Sequence, residues 1–442
     1  MRVMKWSAIA LAVTAASTQL ATAAPFVSDQ ADAKGFIEGS TLDLKARNYY
    51  WNSDGKNGGG DSRDWTQGFW GNFSTGYTQG TIGVGVEAFG YFGLKLDGQN
   101  QYSGSGNLAL DTVDGSEENK DSFGKAGGAV KFRVSKTELK LGDMQPANPV
   151  FAVGGSRLLP QTASGISLQS SEITGLDLEA GHFYSGTSQN DTSRSGGIIS
   201  AYSGQETNSA DFAGGKYAIT DSLGVAFYGA KLEDLWDQYY ANVNYALPLT
   251  DDQSLAFDAN LYRTTDEGSA KAGDISNTAF SGSVAYSFAA AHTLTVAFQK
   301  INGDTPFDYI GIGHNGKAAD SIFLNNSIQI SDFNGPNEKS WQARYDLNMA
   351  PYGVPGLSFM TRYVKGFDID GTSLPSNTQY SGYGADGKHH ETNLEAKYVV
   401  QAGPAKDLSF RIRQAWHRGN SDQPDGDVNQ FRLIVDYPIS VL

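Results

Sequence analysis

The 442 residues contain no cysteine, which excludes disulfide bridges and thiolate metal sites from the outset. Beyond the N-terminal segment, no stretch approaches the ~20 consecutive apolar residues that a membrane helix needs. With a mean hydropathy of -0.38, the chain is not a bundle of membrane helices. A β-barrel is not excluded, because its strands are only half apolar. Cations are in the minority: the formal charge is -15, which argues against nucleic acid as a partner. Familiar site motifs are missing too. No G-x-S-x-G occurs. GYGADGKH, Gly382 to His389, satisfies G-x-x-x-x-G-K, but His389 stands where Ser or Thr is needed and a strand follows rather than a helix. His389 and His390 are neighbours on that strand, point to opposite faces, and cannot chelate one ion as a pair. Asp368, Asp370, Asp422, Asp425 and Asp427 lack EF-hand spacing and read as solvated loop acids. No metal and no cofactor is expected.

What is present begins with an export signal. Arg2 and Lys5 precede an apolar stretch, Trp6 to Ala16, and the small-residue motif Ala21-Thr22-Ala23. Residues 1–23 are therefore expected to be cleaved, leaving 24–442 as a single domain. Loss of Arg2 and Lys5 takes the charge from -15 to -17. Gly 53 and 12% aromatic residues suit strands, tight turns and interfacial girdles.

The rest of the chain alternates. Leu408, Phe410, Ile412, Gln414 and Trp416 interleave with Ser409, Arg411, Arg413, Ala415 and His417. Phe431, Leu433, Val435, Tyr437 and Ile439 interleave with Arg432, Ile434 and Asp436. Strand side chains change face at every residue, so one face is greasy and the other charged. A lipid-embedded barrel turns its apolar face outward and wets its lumen. Short turns fall near Gln79-Gly80, Ser135-Lys136, Thr174-Gly175, Thr220-Asp221, Thr250-Asp251, Ala289-Ala291, Pro351-Pro355 and Gly403-Ala405. Longer loops run near 52–64, 95–125, 144–164, 185–208, 265–276, 302–338, 367–388 and 418–427, with a shorter one near 233–236. Eight turns and nine loops predict a closed antiparallel transmembrane β-barrel of about 18 strands. The loop at 144–164 is apolar and punctuated by Pro and Gly, so it is expected to fold inward and narrow the pore.

Phase assignment puts Lys45, Arg47, Lys131, Arg133, Arg344, Arg362, Lys397, Arg411, Arg413 and Arg432 on inward faces. Each either balances a neighbouring inward acid, such as Asp43, Asp346 or Glu395, or forms part of a track for carboxylates. Cations on all five of the last strands, with fewer acids beside them, favour the track. A charge pair at 4 Å gains about 1 kcal/mol in water and about 4 at an effective dielectric near 20. Rungs of that strength give roughly millimolar binding, weak enough for a solute to leave again. A different class of reading, a serine hydrolase, nominates His182, Asp234 and Ser321 as its triad. A third is a structural barrel with a plugged lumen.

Long strings resemble the OprD-type substrate-specific porins of Gram-negative outer membranes. They include FVSDQADAKGFIE, VFAVGGSRLLPQTASG, SSEITGLDLEAGHF, SDFNGPNEKSWQARYDL, GKHHETNLEAKYVV and KDLSFRIRQAWHR. The similarity points to the basic-amino-acid branch, and so implies uptake of arginine, lysine, small peptides containing them, and carbapenems. It also implies a monomer rather than a trimer, embedded in outer-membrane lipid and lipopolysaccharide. By motif, the resemblance assigns a basic ladder to Arg157 (GGSR), Lys397 (LEAKY), Arg411 and Arg413 (FRIR) and Arg432 (FRL). It assigns an electronegative constriction to Tyr202, Tyr309, Asp320, Ser327 and Asp332. A zwitterion is expected to bridge the two, carboxylate toward Arg157 and cationic end toward the acids.

Overall fold

The computed structural model of the protein describes residues 25–99, 102–113, 116–314 and 317–441; the segment 1–23, read as a signal, lies outside the described residues. Eighteen strands form one antiparallel sheet. They are β1 (Thr41–Gly55), β2 (Ser62–Ser74), β3 (Gly83–Asp97), β4 (Ser122–Val134), β5 (Thr137–Met144), β6 (Thr162–Ile173), β7 (Leu176–Thr187), β8 (Ala210–Ala218) and β9 (Leu223–Leu232). The second half comprises β10 (Trp236–Thr250), β11 (Gln253–Asp266), β12 (Ser276–Phe288), β13 (His292–Asn302), β14 (Lys339–Asn348), β15 (Leu357–Ile369), β16 (Gly387–Val399), β17 (Ser409–Gly419) and β18 (Val428–Ser440). Each pairs with the next in sequence, and β1 closes on β18 from Asp43↔Ser440 to Gly55↔Val428. Closure leaves the sheet without an edge, the condition for a sheet to cross hydrocarbon.

The alternation expected from the sequence holds around the wall. Phe280, Leu294, Val296, Phe298, Leu394, Phe410 and Ile412 are large, apolar and exposed on the outer face. A soluble protein would bury such a continuous belt; a bilayer covers it. The inner face carries Arg432, Glu391, Asn393, Asn260 and Gln299, all buried, and Lys131, buried near the tight turn at Tyr77. Tight turns lie at one end and the nine longer loops at the other, matching the sequence reading in number and position.

The third loop, residues 145–161, does fold inward. Phe151 stacks on Phe183 at 4.7 Å and on Phe212 at 5.8 Å, while Leu158 and Leu159 pack with Tyr49, Trp51 and Tyr91. Phe151, Leu158 and Leu159 are fully buried, worth roughly 1.5–3 kcal/mol each. The seventh loop, 303–338, lies against it. Tyr262 on β11 joins them: its hydroxyl donates to Pro149 O at 3.0 Å and accepts from Phe323 N at 3.0 Å.

One feature had no signal in the alternation. Residues 25–39 bind the inner wall at the tight-turn end, where Phe26 N donates to Asp177 Oδ1 at 3.0 Å and Val27 N to Ser171 Oγ at 3.1 Å. Arg133 holds Gln30 at 3.0 Å and Ser28 at 2.6 Å.

Candidate functional site: the constricted lumen

The basic wall is built by strand register. Arg344 lies opposite Arg362, Lys397 opposite Arg411, and Arg413 opposite Arg432. Like charges directly across a strand pair destabilise a sheet, so their repetition on five adjacent strands needs compensation. The wall supplies it. Glu395 accepts from Arg411 at 2.7 Å and lies 3.3 Å from Arg413; Asp346 takes Arg344 through two bonds of 2.7 Å. Arg362 donates to Asn393 at 2.9 Å. Lys397 makes no ion pair among the described residues. Acids are thus fewer than cations on these strands: Arg411 and Arg413 share one carboxylate, and Arg413 is largely covered. Arg411, with 40% of its side chain exposed, and Lys397 are the rungs most open to the lumen.

One correction concerns Arg47. Asp43, its sequence neighbour, instead accepts from Ser440 at 2.9 Å. Arg47 binds Asp436 across the barrel closure at 2.7 and 2.9 Å and donates to Arg157 O at 2.6 Å, which pins the third loop. Lys45 lies over the Trp70 ring at 3.5 Å.

At the constriction Arg157 and Arg432 both stack on Trp51, at 4.6 and 4.5 Å. Arg157 donates to Ser105 O at 2.9 Å, and Arg432 to Gln329 O at 3.0 Å. Arg432 is buried and so props the seventh loop more than it faces solute.

Four of the five residues assigned to the electronegative pocket meet in one place. Asp332 Oδ2 accepts from Tyr202 at 2.8 Å and Tyr309 at 2.7 Å, and Oδ1 from Ser327 at 2.5 Å. Burial pushes the Asp332 carboxyl above the usual range, and the three hydroxyls pull it back. Asp320 stands apart, on the third-loop side, where it accepts from Gly155 N at 3.0 Å. The residue that sequence reading missed is Asp308. It accepts from Tyr202 N at 3.0 Å, Tyr309 N at 2.7 Å and Ser203 N at 3.2 Å, and from Ser200 Oγ. It therefore fixes both tyrosines, across a sequence gap that no local pattern reports. On the tight-turn side of the loops the lumen opens as a cavity of ≈ 490 Å³ whose lining includes Asp43, Glu87, Lys140, Glu179 and Tyr240.

The nominated hydrolase triad does not assemble. His182 is on the outer face, bonded to Asp211 at 2.8 Å; Asp234 is in the turn between β9 and β10, bonded to Ser269 N at 3.0 Å; Ser321 is buried in the seventh loop. The outer wall, an inter-strand turn and the inward loop hold them separately.

A closed barrel with an apolar belt, a charged lumen and loops folded into it has the architecture of an outer-membrane porin, a diffusion channel of the Gram-negative envelope. Comparison with known proteins gives the family. The profile described as outer membrane porin, OprD family, matches residues 34–441. The chain is 64% identical to Porin D of Pseudomonas aeruginosa over the full length of both. It superimposes on the crystal structure of Pseudomonas aeruginosa OprD with a TM-score of 0.84 at 61% identity, covering 95% of this chain and all of that one. Pseudomonas aeruginosa OpdK, solved with vanillate, matches at 33% identity and a TM-score of 0.81, over 92% of this chain and all of that one. The chain belongs to the OprD family of outer membrane porins.

Proposed function

We propose that this porin passes solutes bearing both a carboxylate and a cationic group: basic amino acids, small peptides containing them, and carbapenems. The carrying observation is the placement of opposite charges in one lumen. Lys397, Arg411 and Arg413 line β16 and β17, while Asp332 with its three hydroxyls projects from the seventh loop. Arg157, Arg344, Arg362 and Arg432 complete the basic side, and Asp320 adds an acid near Arg157. Passage of a carboxylate fits the relative solved with vanillate. Each contact is weak enough to release the solute to the next. In planar bilayers, arginine and lysine are expected to interrupt the ion current at lower concentration than glutamine. Equal interruption by all three would overturn the proposal.

Residues 24–442 form the mature chain in this reading, after cleavage behind Ala23. One chain closes its own pore, so the reading of a monomer needs no second copy to complete the channel. An outward basic row, Lys300, Lys339, Lys365, His390 and Arg418, crosses five adjacent strands just outside the apolar belt at the long-loop end. Lys300 and Lys339 are directly opposed; Asp368 pairs with Lys339 at 2.8 Å, and anionic lipopolysaccharide phosphates would offset the rest of the row. Native mass spectrometry of the detergent-extracted protein reads the start residue, the chain count and retained lipopolysaccharide together. A mass including Met1, or a trimer, would contradict this reading.

A further inference from the structure

We propose a transition-metal site at the long-loop end of the lumen, formed by His389, His417 and Asp425. His389 and His417 are diagonal neighbours on the inward faces of β16 and β17, where His389 pairs with Gly419 and Glu391 with His417. Two cross-strand glycines make the room. Gly366 and Gly419 lie opposite His389 on either side, and a Cβ at Gly366 would sit 2.6 Å from the His389 ring. The two imidazoles reach His389 Nδ1 to His417 Nε2 at 2.9 Å, and Asp425 Oδ2 lies 3.8 Å from His389 Nδ1. One ligand atom from each of the three residues falls within 4.8 Å of the others.

The outer nitrogens decide what faces inward. His389 Nε2 lies 2.7 Å from Glu338 Oε1, and His417 Nδ1 lies 2.8 Å from Gly426 O. Gly426 O can only accept, and Glu338 accepts when ionised, so with Glu338 ionised each of those nitrogens carries its proton. In neutral rings the two remaining nitrogens then present lone pairs to each other, which is repulsive unless something cationic bridges them. A histidine held through its far N–H by a carboxylate or carbonyl, with the near nitrogen free, is the arrangement that orients a metal ligand. A metal at ~2.0–2.1 Å from each nitrogen needs them roughly 3.3 Å apart, a few tenths of an ångström more than they are. Two imidazoles and one carboxylate suit Zn²⁺, Ni²⁺ or Cu²⁺, not the all-oxygen cations Ca²⁺ and Mg²⁺. The other four loop acids have different engagements: Asp368 with Lys339 at 2.8 Å, Asp370 with Thr372 N at 2.9 Å, Asp422 with Asp386 N at 3.2 Å, and Asp427 with Gly419 N at 2.8 Å. Since Asp425 belongs to the ninth loop, residues 420–427, the ion would tie that loop to the barrel wall beside Glu338.

The test is calorimetric titration of Zn²⁺ into the metal-stripped full-length protein in detergent, with Ca²⁺ as control. X-ray absorption of the zinc-loaded sample reads the ligand atoms. Expected are one zinc per chain, two imidazole ligands, no calcium binding, and at least tenfold weaker zinc binding in both His417→Gln and Asp425→Asn. Asp425 is partly exposed on a loop, so its variant tests the site even if the histidine variant misfolds. Absence of saturable zinc binding, or unchanged affinity in Asp425→Asn, would overturn the proposal; in the first case a proton shared between the rings takes the bridging place.

Discussion

Asp332 has a structural role on the page and a proposed one in selectivity. Three hydroxyls donate to it, so it orders the seventh loop, and in the proposed path its charge acts on solutes passing Tyr202 and Tyr309. Asp332→Asn keeps one acceptor oxygen and the shape but removes the charge. Arginine affinity should fall by roughly fivefold, about 1 kcal/mol, while glutamine is little affected. Equal slowing of both would mean that the residue only orders its loop. Because burial raises the Asp332 carboxyl, it protonates at a higher pH than an exposed acid as pH falls. Preference for arginine over glutamine should therefore decline on acidification from above the usual carboxylate range, and the Asn variant should lack this step. Flux ratios measured in reconstituted vesicles across pH check both outcomes.

Among elements, the strands were legible in the sequence and their partners were not. Alternation of side chains fixed which residues face the lumen, and turn chemistry fixed the nine loops. Registry between paired strands leaves little local trace, whether the pair is one hairpin or the two ends of the chain. Arg47 with Asp436, the carboxylate shared by Arg411 and Arg413, and the meeting of His389 with His417 all depend on it. The third loop was readable because its apolar residues had no other place to go; its attachment through Tyr262 was not. Tyr262→Phe deletes a hydroxyl that serves Pro149 O and Phe323 N, leaving two buried backbone groups unpaired at a cost of about 1–3 kcal/mol. The barrel should still fold, with unchanged heat-modifiable mobility, while single-channel conductance rises and becomes noisier as the third and seventh loops separate. Unchanged conductance would place the hold on these loops elsewhere, in Phe151 and its ring stack.

At the scale of the whole molecule, an acidic chain concentrates cations along one side of its lumen. The net charge of -15 gives no hint of this; only the phase of the strands does. Loop acids and the pocket around Asp332 hold the opposite sign, which in the proposed path gives each end of a zwitterion a surface. In the proposed path the basic wall carries the carboxylate, with Arg411 and Arg413 sharing Glu395 at its middle. Changing both to alanine leaves Glu395 without its partners, so that wall should turn from anion-favouring to cation-favouring. The most direct measurement is the reversal potential of the Arg411→Ala, Arg413→Ala double variant under a potassium chloride gradient, paired with arginine uptake in vesicles. The expected result is a shift toward cation selectivity with several-fold slower uptake in a fully folded barrel. A reversal potential and an uptake rate equal to those of the unaltered protein would show the wall to be balanced structural charge, and would contradict the carboxylate path.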